Sequence, residues 1–185
     1  MLRSAIVCGV LLIIAPVAVA QDMPLTMFLL DGESWKPSKS DIAMPVRPVI
    51  APAVVPSPTA SGLAPDGRTL YVGSSEGRYV WAFRVNAEGK AGLGDRYARL
   101  WAAKGQEHQP VTALTFDSRN CLYAATPGGL QAFDPTGRLC GVIAVPSKKK
   151  LTGLMWTGPD LDVLVAEFEK GEERFARKMN ARGIK

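Results

Sequence analysis

After residue 60 the chain alternates short apolar runs with polar turns, and the alternation repeats. Three segments open with a small polar residue, a small residue and leucine: Ser61-Gly62-Leu63, Thr112-Ala113-Leu114 and Thr152-Gly153-Leu154, spaced 51 and 40 residues apart. Each leads into a polar turn, namely Pro65-Asp66-Gly67-Arg68, Asp117-Ser118-Arg119-Asn120 and Gly158-Pro159-Asp160. A short apolar run follows each turn: Leu70-Tyr71-Val72, Leu122-Tyr123-Ala124 and Val163-Leu164-Val165. A second turn and strand come next, over 79–85 and 129–133, with 174–179 as the corresponding piece of the third copy. Asp66-Gly67 and Gly128-Gly129 accept the positive φ that tight hairpins demand. Runs of Val, Leu, Tyr and Phe suit a pleated, half-buried surface.

The second copy is the clearest, with strands expected over 112–116, 121–126, 129–133 and 139–145 and Asp134-Pro135-Thr136-Gly137 as its last turn. Four short antiparallel strands recurring every ~40 to 50 residues mark a β-propeller blade. The prediction is an all-β fold, an incomplete propeller of about three four-stranded antiparallel blades over 61–185. A generic β-sandwich would not need the recurring tripeptide. Three blades fall short of the roughly four to eight that close a ring. Self-association or a partner chain completing the propeller is therefore expected, unless the product is truncated or the third blade wraps differently.

Upstream of the repeat the texture is different. Arg3, the apolar run over 5–15, Pro16 and the small residues Ala18-Val19-Ala20 form a signal peptide over 1–20, with cleavage before Gln21. The run is short of the ~20 residues that span a bilayer, and Cys8 lies too early for a lipoprotein site. The expectation is an exported protein, periplasmic or secreted, with no stable membrane anchor after cleavage. Over 21–60, one apolar patch (Met27-Phe28-Leu29-Leu30) is followed by six prolines between Pro37 and Pro58. Proline brings no backbone donor, so an extended linker is expected there.

Composition excludes more than it proposes. A hydrophobic content of 47% and a net charge of +5 are those of an ordinary globular chain. The one dense basic run, Lys148-Lys149-Lys150, has no interleaved aromatic residues, so no nucleic-acid partner is expected. Cys121 and Cys140 fall two strands apart in the meander, about twice 4.8 Å, too far for a disulfide. Both are expected as unpaired, largely buried thiols. The single histidine, His108, stands in a polar loop with no G-x-S-x-G elbow to serve. One histidine and two separated cysteines make no zinc site. The charged tail over 167–185 reads as a solvated edge strand or a helix.

The stretch from Ser61 through Val72 resembles the strand-turn-strand phrase of the senescence marker protein, gluconolactonase and luciferin-regenerating enzyme family. Asn120 through Thr126 and Gly129 through Leu139 resemble that family's next blade. The region from Met23-Pro24-Leu25 to Trp35 resembles the start of exported bacterial members, and the first blades between the two matches are missing. The resemblance implies a six-bladed regucalcin-like propeller that holds calcium or another divalent cation and hydrolyses sugar lactones or related esters. It also implies a Glu ligand from an early blade, an Asn and an Asp. Here Ser61 stands at the Asn position and Thr112 at the Asp position, and no residue matches the Glu. Hydroxyls replace neither a carboxylate nor an amide around a hard cation. Asp66, Asp117 and Asp134 are expected to cap their own turns. The expectation is thus an exported, truncated and degenerate relative, without cofactor or metal, that binds a ligand or partner. The alternative is a divalent-metal-dependent lactonase or esterase whose site is altered or completed by a partner.

Overall fold

The computed structural model describes residues 23–39, 43–45 and 48–184. The expected signal peptide, its cleavage site and Cys8 lie outside the described residues. A two-residue strand, β1 (Lys36–Pro37), comes first. The first blade follows as β2 (Pro58–Leu63), β3 (Thr69–Ser74), β4 (Tyr79–Val85) and β5 (Ala91–Arg99). The second is β6 (Ala113–Phe116), β7 (Leu122–Thr126), β8 (Gly129–Phe133) and β9 (Leu139–Ile143). The third contains β10 (Leu151–Thr157), β11 (Val163–Phe168) and β12 (Glu173–Lys178), and β1 joins it as a fourth strand in the order β1-β12-β11-β10. All pairings are antiparallel, so the molecule is an incomplete propeller of three four-stranded sheets.

The turns form where glycine and aspartate allow them. Gly67, Gly129 and Gly137 have φ of 66°, 120° and 83°, a region that glycine enters without a Cβ penalty. Asp66 accepts the Arg68 amide at 2.8 Å; Asp117 accepts those of Arg119 and Cys121; Asp134 accepts those of Thr136 and Arg138. These are local turn caps, as expected.

The sheets stack face to face through two apolar layers. Ala60, Tyr71, Val80 and Leu100 of the first blade region meet Leu114, Phe116, Leu122, Ala124 and Phe133 of the second. Tyr123, Ala125, Leu130, Ala132 and Ile143 meet Leu151, Leu154, Leu164, Ala166 and Phe168 of the third. The middle blade is therefore buried on both faces, and every residue of β6, β7 and β8 is buried. At Gly73 the first two blades approach so closely that a Cβ would fall 2.5 Å from the Val111 side chain.

Two expectations are corrected here. The segment over 21–60 is not a linker throughout. Phe28 is fully buried beside Tyr123 with ring centroids 5.8 Å apart, Leu29 bridges Met179, and Lys36 pairs with Ala176. The tail strand β12 is consequently not a solvated edge, because β1 covers it. Neither Cys121 nor Cys140 is in a disulfide; the first is buried and the second half-buried. Among the described residues no helix is long and apolar enough to cross a membrane.

Candidate functional site

The first strands of the three blades, β2, β6 and β10, run side by side along the axis of the arc. A cleft of about 290 Å³ opens along them. Its polar lining is Thr59, Ser61, Thr112, Thr152 and Glu167, with Met44, Pro45 and Val49 walling one side. All three opening tripeptides reach this cleft, so the sequence repeat converges on one place.

The tripeptides do not share one level in their sheets. Tyr71 lies opposite Gly62 in the first hairpin and Tyr123 lies opposite Thr115 in the second. Counting back from those pairs aligns Ala60 with Ala113 and Thr59 with Thr112. Ser61 corresponds instead to Leu114. The first hairpin's turn is longer, so the strand pairing and not the tripeptide sets the alignment. Thr59 was hidden from sequence reading for that reason, although Pro58-Thr59-Ala60 and Pro110-Val111-Thr112 both begin with proline.

The side chains confirm the alignment of Thr59 with Thr112. The Thr59 hydroxyl donates to the Val111 carbonyl, and the Thr112 hydroxyl donates to the Leu151 carbonyl. Each fastens its blade to the backbone where the next blade's inner strand begins. Thr152, with no further blade beside it among the described residues, donates to the Glu167 carbonyl at 3.3 Å and accepts the Lys170 amide at 3.0 Å. Ser61 accepts the Ile50 amide at 2.9 Å and donates to the Pro48 carbonyl at 3.3 Å.

Glu167 is the cleft's carboxylate, and the sequence reading overlooked it inside the charged tail. It is 9% exposed, and its Oε2 accepts Nε and Nη2 of Arg174 at 2.9 and 2.7 Å. Calcium takes about six to eight oxygen ligands with carboxylates supplying the charge. This cleft offers hydroxyls committed to backbone carbonyls and one carboxylate already neutralised by a guanidinium. Among the described residues no group of three or more His, Cys, Asp or Glu is placed to hold a metal ion. That donor set does not fit a divalent cation. His108 stays in its loop, where Nδ1 accepts the Gly77 amide at 2.8 Å.

Residues 49–166 match the SMP-30/gluconolactonase/LRE-like region. The chain belongs to this family. A gluconolactonase from Xanthomonas campestris superposes with a TM-score of 0.55 at 20% identity, covering 68% of this chain and 38% of that one. A luciferin-regenerating enzyme gives a TM-score of 0.56 at 13% identity, covering 70% of this chain and 48% of that one. A calcium-binding protein, regucalcin, from Agrobacterium tumefaciens gives 0.55 at 18%, covering 69% and 48%. At these identities the likeness establishes the propeller-type fold. The gluconolactonase-like chain spans under half the length of each of these structures. No curated relative matches it.

Proposed function

We propose that this gluconolactonase-family chain is an exported binding protein that lacks its relatives' hydrolytic chemistry. The observation that carries this reading is the use of the inner-strand hydroxyls. Thr59 and Thr112 fasten blades together and Glu167 is held by Arg174, so these polar groups of the cleft are tied into the fold and not gathered around an open charged centre. A ligand of this cleft would meet hydroxyls and backbone rather than a charged centre, which suits a neutral, hydroxyl-bearing molecule. The decisive experiment is calcium titration by calorimetry on the purified chain, followed by an assay with a sugar lactone. This reading expects no calcium binding tighter than about 1 mM and no turnover above the spontaneous rate.

A second reading is favoured by one observation. The chain spans 38% to 48% of its structural neighbours, about half a ring. A metal-dependent lactonase completed by a partner chain would bind calcium only as an assembly. Calcium binding that appears together with a doubled mass in light scattering would establish it and overturn the first reading.

A further inference from the structure

The first blade has one face turned to the second blade and one turned away from it. In a closed ring the outward face would pack on a neighbouring blade. Here Leu70, Val72 and Phe83 occupy that face, yet they are buried, at 6%, 0% and 1% exposure. Val55 covers them and is itself 4% exposed, with Ala51 packed beside it. The remaining aromatic residues of the face, Tyr79 and Trp81, are shielded by the Arg96 guanidinium, 5.2 and 5.7 Å from their ring centres.

The covering segment runs over 48–57 and is tied down at both ends. Near its start, Ser61 accepts the Ile50 amide and donates to the Pro48 carbonyl. Near its end, the Ser74 hydroxyl donates to the Pro56 carbonyl and the Ser75 amide donates to the Ser57 carbonyl at 3.0 Å. Between them Val55 closes a turn onto Pro52 at 3.1 Å. These are the two ingredients that join the blades to one another, apolar contact and hydroxyls donating across the gap to backbone carbonyls. Pro48, Pro52 and Pro56 suit the task. A strap rich in proline can lie across side chains but cannot extend a strand ladder, so it ends the stack instead of inviting another strand.

We infer that residues 48–57 are an intramolecular stand-in for the missing neighbouring blade, covering the first blade's outward face against a second copy of the chain. The first-blade end of the arc is thereby closed, and the chain is expected as a monomer. Val49 of the strap also lines the inner cleft, beside Met44 and Pro45. This inference is independent of the non-catalytic reading, because it concerns mass and protection and not turnover.

The test has two parts on the purified chain. Light scattering should give one chain's mass for the native sequence, whereas Val55→Asp should shift to a dimer or larger species whose fraction rises with concentration. Hydrogen exchange on the unaltered protein supplies the second part and does not depend on a variant that folds. The Ile50 and Val55 amides should exchange at least ~100-fold more slowly than in a free peptide. A native dimer at micromolar concentration, or exchange of both amides at the free-peptide rate, would overturn the proposal. A folded Val55→Asp chain that stays monomeric at all concentrations would overturn it too.

Discussion

Arg174 grips Glu167 from the neighbouring strand of the third blade, with Nε and Nη2 both on one carboxylate oxygen. The pair sits at the edge of the inner cleft, where its charge would otherwise attract a cation. Two charge-assisted hydrogen bonds to a nearly buried carboxylate make the ion pair stronger than an ordinary surface pair. Removing the guanidinium leaves a nearly buried carboxylate without its main partner. Arg174→Ala is expected to cost about 2 kcal/mol, read as a lower denaturation midpoint. An unchanged midpoint would show that the carboxylate is solvated in spite of its burial.

The inter-blade hydroxyl bonds should also be measurable one at a time. Thr112→Val keeps the shape of the side chain and removes the donor to the Leu151 carbonyl. The expected loss is about 1 kcal/mol, and Thr59→Val should lose a similar amount against the Val111 carbonyl. Thr59 bonds the carbonyl of the peptide that joins Val111 to Thr112, so the double variant should depart from additivity. Equal stability of Thr112→Val and the native chain in urea would refute the fastening role.

Thiol chemistry should separate the two cysteines. Burial, reinforced by the nearby Asp117 carboxylate, pushes the Cys121 thiol up to about 12. The thiolate is the reactive form, so Cys121 is inert at pH 8 while the chain stays folded. Cys140 is only half-buried. Alkylation followed by peptide mapping should label Cys140 first and Cys121 only after denaturant is added. Equal labelling of both in the native protein would contradict the packing between the second and third blades.

Acid should loosen the last turn of the second blade. Burial alone would raise the Asp134 pKa, but hydrogen bonds from the Thr136 hydroxyl and from the Arg138 and Thr136 amides outweigh it and hold the value below normal. A carboxylate with a depressed folded pKa stabilises the fold above its unfolded pKa, and that contribution disappears as pH falls through the folded value. Melting temperature should therefore drop below about pH 4, and Asp134→Asn should remove part of that drop. Identical acid profiles for the two proteins would exclude Asp134 as a contributor.

Much of the architecture could be read from the chain because propeller hairpins are local. The strand over 79–85 and the strand over 129–133 appear as expected, since each is set by the glycine turn ahead of it and by its own run of apolar residues. The turn-capping roles of Asp66, Asp117 and Asp134 were legible for the same reason, because a carboxylate two to four residues from its amide partner needs no tertiary context.

Tertiary structure decided what depends on partners far along the chain. Lys36–Pro37 has no strand signature, and it becomes one only because β12, about 140 residues later, offers an unpaired edge. The alignment of Thr59 with Thr112 follows from strand pairing, with Gly62 opposite Tyr71 and Thr115 opposite Tyr123, which the recurring tripeptide does not encode. Glu167 reads as one charge among many until the pleat turns it toward the cleft and Arg174 beside it. The proline-rich segment looked like a spacer because its local preference is merely extended. Its role as a cover arises from the apolar face it meets, and that face exists only once the first blade has folded.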